Sequence, residues 1–141
     1  SVHDARVLIV DDLPANVELV ERLLANEGFR CFRSVLRGED VVPAFVEFEP
    51  DIVLLDLLMP GVDGYAVLES LARRIPRDVY LPIVALTADA SLPARRRALA
   101  LGAKDFVTKP FDLIELLMRI YCLLETRQLF LRLSKPGADG A

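Results

Sequence analysis

The stretch Pro50–Gly64, PDIVLLDLLMPGVDG, decides the fold. Ile52 to Leu55 is a short unbroken run of β-branched and leucine side chains, the pattern of a strand covered on both faces of a parallel sheet. Asp56 therefore stands at the carboxyl end of that strand. In open α/β sheets this edge collects ligand chemistry, because the loops there bring together side chains from several strands. Met59-Pro60-Gly61 reads as a turn, and Asp63-Gly64 opens the next periodic segment. Taken alone, Asp56 reads as well as a helix cap or a brace for the turn.

Outward from this stretch the same strand-then-loop unit recurs. Ala5 to Val10 is a first buried strand that runs into Asp11, Asp12, Leu13 and Pro14. Val17, Val20, Leu23 and Leu24 then follow at helical spacing, with Pro14 in a favoured first-turn place and Gly28 as the stop. Two adjacent acids exceed what capping needs, and their repulsion is costly unless a cation or hydrogen bonds offset it. Phe29 to Val35 reads as a second strand, and Gly38 to Glu47 as a short helix carrying Val41, Val42, Phe45 and Val46. Beyond the central stretch, Gly64 to Arg74 is a helix with Tyr65, Val67, Leu68 and Leu71 on one face. Pro82 to Leu86 is a fourth strand that delivers Thr87, with Ala88, Asp89 and Ala90 after it. A helix spans Pro93 to Leu101, and Asp105 to Thr108 is a fifth strand followed by Lys109 and Pro110.

The last helix starts near Asp112 and points Leu113, Leu116, Leu117, Ile120, Leu123 and Leu124 inward. Its pattern continues through Leu133, about 30 Å at 1.5 Å per residue, more than a small sheet needs. Leu116, Leu123 and Phe130 recur every seven residues, with Leu113 and Ile120 beside them and Arg127 interrupting. The extension reads as a solvated helix end, a linker toward an output module, or a helical dimer seam.

Strict alternation of strand and helix implies right-handed crossovers and a parallel sheet covered on both faces. The expected architecture is an α/β, flavodoxin-like three-layer (βα)5 fold with strand order 2-1-3-4-5. Its switch point falls between strands one and three and sets Asp11 and Asp12 beside Asp56. The expected organisation is a leader over residues 1–4, one domain over 5–125, and an extended last helix with a disordered tail over 126–141.

Composition narrows the function. The chain has 141 residues, 53% apolar and 27% charged, in keeping with one compact domain. A net charge of -4 argues against direct nucleic-acid binding, and the Arg95-Arg96-Arg97 run reads as a solvated helix face. Cys31 and Cys122 lie in apolar settings without a CxxC pattern, and are expected to be reduced and buried. With no secretory signal and no spanning apolar stretch, the expected location is cytoplasmic, away from membranes. The single histidine, His3, cannot assemble a triad or a zinc cluster.

Asp11, Asp12, Asp56 and Lys109 sum to a charge that one divalent cation would neutralise. Magnesium suits it, since it takes oxygen ligands and is commonly held by one or two carboxylates with phosphate oxygens. Such a site fits phosphoryl transfer to a carboxylate. Asp56 would attack phosphorus, the metal and Lys109 would offset charge, and the Thr87 hydroxyl would bond a transferred oxygen.

These residues carry a resemblance: over residues 5 to 125 the chain resembles a response-regulator receiver domain of two-component signalling. The matching pieces are VLIVDD, DIVLLDLLMPGVDG, IVALTA and DFVTKPF. The resemblance implies that Asp56 is the phosphoacceptor, that Asp11, Asp12, Asp56 and the backbone carbonyl of Leu58 hold magnesium, and that Thr87 and Lys109 read the phosphoryl group. It implies that Phe106 is a switch aromatic swinging inward when Thr87 moves, and that the Lys109-Pro110 bond is cis. The resemblance also implies that Leu58 and Asp89, each two residues beyond a site residue, occupy positions that tune phosphate lifetime. The implied partners are a sensor histidine kinase or phosphotransfer protein, a possible homodimer formed on phosphorylation, and an output domain or partner protein. The implied chemistry is self-phosphorylation and self-dephosphorylation rather than turnover of a separate substrate.

Three rivals remain. An aspartyl-nucleophile phosphohydrolase would need DxDx[TV], which Asp11-Asp12-Leu13-Pro14 does not supply. A flavin-binding module would need a phosphate cradle where the acids stand. A non-phosphorylated interaction module usually loses a site residue, and here all five are present.

Overall fold

The structure, a computed structural model, describes residues 1–134. Five strands, β1 (Arg6–Val10), β2 (Cys31–Val35), β3 (Ile52–Asp56), β4 (Ile83–Thr87) and β5 (Asp105–Thr108), form one parallel sheet in the order β2-β1-β3-β4-β5. The helices are α1 (Pro14–Glu27), α2 (Val41–Phe48), α3 (Gly64–Arg73), α4 (Leu92–Ala100) and α5 (Leu113–Leu133). This is the flavodoxin-like order expected from the alternation.

Strand side chains alternate between two cores, as a period of two requires. Leu8, Val10, Val53, Leu55 and Ala85 meet Val41, Phe45, Leu68, Leu71 and Ala98 from α2, α3 and α4. Val7, Ile9, Leu54, Val84 and Leu86 meet Val17, Val20, Leu24, Leu116 and Ile120 from α1 and α5. The central strands are thus sealed on both faces, and their polar residues emerge at the carboxyl edge.

Local chemistry fixes the connections to that edge. Pro14 starts α1, and Gly28 ends it in the left-handed region at φ 101°. The Asp63 carboxylate accepts from the Tyr65 and Ala66 N–H groups at the start of α3, and Asp112 caps α5 in the same way. The expected turn after β3 is a small antiparallel hairpin, Leu58–Met59 against Val62–Asp63. The second helix also differs from expectation: a single 3-10 turn, Gly38–Asp40, precedes α2. Gly38 is required there, because a Cβ would lie 2.3 Å from a Val62 methyl of the hairpin.

Three expectations need correction. Leu116 and Ile120 are fully buried against the sheet, and the Phe130 ring stacks on Tyr80 with centroids 4.8 Å apart. The seven-residue stripe therefore packs on the chain's own body at Leu116 and Ile120, while Phe130 is half exposed at its far end, so it is not free along its length as a dimer seam requires. Arg127, expected to interrupt the stripe, anchors it: its guanidinium bonds Asp51 at 2.9 Å and the Tyr80 carbonyl. Neither cysteine is buried, since Cys31 lies on the edge strand β2 and is half-buried, while Cys122 faces outward from α5 and is exposed.

His3 lies in a 3-10 turn, Val2–Asp4, and its Nε2 is 2.8 Å from the Tyr121 hydroxyl of α5. Arg95, Arg96 and Arg97 are exposed, as a solvated face requires. Among the described residues no helix is long and apolar enough to cross a membrane. The expected tail over 135–141 lies outside the described residues.

Candidate functional site

The crevice beyond the carboxyl ends of β1, β3, β4 and β5 gathers the polar residues that the sequence singled out. β1 pairs with β3 through Val10 and Leu55, so the residues that follow, Asp11 and Asp56, leave the sheet side by side. Asp11 and Asp56 are 3% and 2% exposed, values that demand partners for each carboxylate. The Lys109 ammonium supplies one to both, 2.7 Å from Asp11 and 3.1 Å from Asp56. The Leu58 N–H donates to Asp56 at 3.0 Å, and the Leu13 N–H donates to Asp11 at 2.9 Å.

One half-buried ammonium shared by two buried carboxylates leaves a net negative charge, and half-buried Asp12 adds to it. Oxygen atoms from Asp11, Asp12 and Asp56 all lie within 4.8 Å of one another. Opposite ligands of a magnesium ion stand about 4.2 Å apart, twice a bond of about 2.1 Å, so a slight contraction lets this hard-oxygen set close on the ion. The residues present fit that cation. Burial pushes the Asp56 carboxyl above its ordinary value, against the pull of the Leu58 N–H and Lys109. For Lys109, burial favours the neutral amine, but the bonds to Asp11 and Asp56 prevail and hold its pKa above the usual lysine value.

β4 and β5 bring the remaining residues. Thr87 is fully buried, and its hydroxyl accepts from the Asp89 N–H at 3.1 Å. Its carbonyl accepts from the Lys109 N–H at 2.7 Å, tying the two strand ends together. Asp89 is exposed and accepts from the Ser91 N–H, which holds its carboxyl below the ordinary value. The Leu58 side chain is exposed beside the crevice. The Lys109-Pro110 bond is cis. Phe106 is only 4% exposed, with the Arg95 guanidinium 5.7 Å from its ring centre. Its ring thus already lies inside.

Two contributors escaped the sequence reading. Asn16 donates from its side-chain amide to Asp11 at 3.3 Å, and its place in the first turn of α1, just past the acid pair, was the available signal. Gly64 lets α3 approach the β3 loop, since a Cβ there would sit 2.1 Å from the Leu57 carbonyl oxygen. The Asp-Gly pair marked a helix start but not this close approach.

A doubly wound sheet whose carboxyl edge joins three acids to one lysine defines a class of acidic-crevice domains. Within that class the chain belongs to the response regulator receiver domain family, whose model matches residues 7–121. It is 42% identical over 119 residues to the transcriptional regulatory protein TrcR of Mycobacterium tuberculosis, covering 84% of this chain and 45% of that protein. It is 35% identical over 136 residues to the response regulator PleD of Caulobacter vibrioides, covering 96% of this chain and 30% of that protein. The chain thus spans less than half the length of either curated relative. Among solved structures, a response regulator from Chloroflexus aurantiacus superposes with a TM-score of 0.76 at 33% identity, covering 86% of this chain and 98% of that one. Receiver domains are signalling domains of two-component systems.

Proposed function

We propose that the chain is a phosphoacceptor switch in which a sensor histidine kinase or phosphotransfer protein delivers a phosphoryl group to Asp56. The observation that carries this reading is the pair of buried carboxylates, Asp11 and Asp56, bridged by Lys109 with Asp12 alongside. An Asp56 oxygen attacks phosphorus, the bond from phosphorus to the donor nitrogen breaks, and an acyl phosphate forms. Asp11, Asp12, Asp56 and the Leu58 carbonyl are the proposed magnesium ligands. When bound, magnesium offsets charge on the transferred oxygens. Lys109 does the same from the other side of Asp56 and keeps its proton throughout.

The Thr87 hydroxyl leaves the Asp89 N–H and donates to a phosphoryl oxygen. Because that bond exists in one state only, the equilibrium shifts. Phe106 is already inside, so the shift fixes its position rather than bringing it inward. The surface of α4, β5 and α5 then presents itself differently to an output domain, a partner protein or a second copy. Leu58 and Asp89 set the phosphate lifetime: the leucine offers an attacking water no polar group, whereas the aspartate can. The proposed location is the cytoplasm, with residues 5–125 acting as the receiver unit.

The test is intact mass after treatment with acetyl phosphate or phosphoramidate and magnesium. One base-labile phosphoryl group is expected on the wild type, none on Asp56→Asn, and none under chelation. Equal phosphorylation of Asp56→Asn, or an adduct mapped to a serine or threonine, overturns the reading.

A further inference from the structure

The buried Asp11 carboxylate draws on three donors. Its Oδ1 accepts from the Leu13 N–H at 2.9 Å, and its Oδ2 accepts from the Lys109 ammonium at 2.7 Å and from the Asn16 side-chain amide at 3.3 Å. A carboxylate has about four acceptor sites, so about one is left, on Oδ1. Lys109 also bonds Asp56 and, in the proposed switch, turns to the oxygens of the incoming phosphoryl group. Asn16 is then the side-chain donor that stays with Oδ2. With the Leu13 N–H on one oxygen and the amide on the other, the carboxylate is pinned at both ends and cannot turn about its Cβ–Cγ bond. With Leu13 alone it can.

The residue type suits this task better than it suits the helix. Asn16 is half-buried in the first turn of α1, where the helix dipole favours an acid and asparagine is a modest helix former. No acid stands in that turn. An acid at this position would face a buried carboxylate with no donor to offer, and a cation would cancel the charge that draws magnesium. The neutral amide donates and leaves that charge in place. Because Asp11 only accepts, the amide must turn its NH2 group, not its oxygen, toward the carboxylate.

We propose that Asn16 is a positioning residue for magnesium: it holds the Asp11 carboxylate in its ligating orientation when Lys109 is drawn to the phosphoryl group. The proposal rests on the phosphoacceptor reading of the crevice. Asn16 acts through Asp11 alone.

The test is magnesium titration of the wild type, Asn16→Leu and Asn16→Gln, followed by thermal shift, alone and with beryllofluoride as a stand-in for the phosphoryl group. Leucine removes the donor and suits a cavity wall shared with Leu19, Phe111 and Leu113, whereas glutamine keeps an amide on a longer arm. Asn16→Leu should raise the half-saturating magnesium about threefold alone, since Lys109 still holds Oδ2. With beryllofluoride the rise should be about tenfold. Asn16→Gln should fall between leucine and the wild type. At saturating magnesium, phosphorylation of Asp56 by phosphoramidate should reach the wild-type maximum in both variants, because the reacting groups are intact.

Unchanged magnesium affinity in Asn16→Leu overturns the proposal. Tighter binding overturns it too, since losing a donor without losing orientation would only leave more negative charge on Asp11. So does a lower maximum at saturating magnesium, which a general structural defect would give. Magnesium-dependent phosphorylation of wild-type Asp56 with no effect at Asn16 overturns this proposal alone, whereas a wild type that takes no phosphoryl group overturns the phosphoacceptor reading with it.

Discussion

Replacing Asp56 by Asn should stabilise the metal-free protein. At an effective dielectric of about 20, Asp56 repels each of its acidic neighbours, Asp11 and Asp12, by about 3.5 kcal/mol at the 4.8 Å limit of their separation. The Lys109 ammonium, 3.1 Å away, attracts it by about 5 kcal/mol. Repulsion exceeds attraction by about 2 kcal/mol, and water at half-buried Asp12 trims the excess to about 1–2 kcal/mol. The asparagine keeps an oxygen for the Leu58 N–H, and Lys109 keeps Asp11. For a domain of this size, Tm should rise by about 3–8 °C in EDTA at neutral pH, followed by circular dichroism. The sign of the pH dependence follows from burial, which raises the folded pKa of Asp56. A carboxyl of that kind favours the native state below its unfolded pKa and loses that contribution as pH rises through the folded value. The advantage of Asp56→Asn should therefore shrink toward zero as pH falls through and below that window, and magnesium should narrow it at neutral pH. An Asp56→Asn protein that melts below the wild type in EDTA at neutral pH, or a gap independent of pH, would refute the charge-repulsion account.

Lys109→Met should act in the opposite direction, costing about 3 kcal/mol by urea denaturation, because it leaves Asp11 and Asp56 buried without their cation. Gly64→Ala should cost about 2–3 kcal/mol and lower phosphorylation of Asp56 with it, since the new Cβ pushes on the Leu57 carbonyl. Arg127→Ala should cost about 2 kcal/mol by releasing Asp51 and the Tyr80 carbonyl, and should speed amide exchange after Thr126 while sparing the crevice.

The fold and crevice were legible because their signals are exceptions to a strong background. Asp56 and Thr87 close the two fully buried strands β3 and β4, and Asp11 and Lys109 directly follow β1 and β5, so the polar residues of the crevice all stand at one edge. Alternation of strand and helix implied the layers and made the flavodoxin-like order 2-1-3-4-5 the economical choice. Features set by close approach were less visible. The hairpin at Leu58–Asp63, the 3-10 turn at Gly38 and the fit of Gly64 against Leu57 depend on atoms brought together across the fold. A glycine in the sequence signals freedom but not which backbone it must admit. Burial of the cysteines was misjudged for a related reason: apolar neighbours in sequence do not say whether a position is on an edge strand or an outward helix face.

The last helix shows where pattern reading reaches its limit. Leu116, Ile120 and Leu124 on one side and Ile114, Met118, Leu129 and Leu133 on the other are both regular apolar stripes on the same twenty-one residues. The pattern turns the first stripe inward, as the core shows, but leaves the second unnoticed, because a helix that is apolar on two faces blurs its own amphipathic signal. Arg127 reinforces the inward face. Its bonds to Asp51 and the Tyr80 carbonyl, with Phe130 stacked on Tyr80, fix which side turns inward, and the other stripe is exposed as a consequence. Loss of Arg127 should therefore fray the last turns of α5, and amide exchange should rise beyond Thr126 while Leu116 and Ile120 stay protected against the sheet.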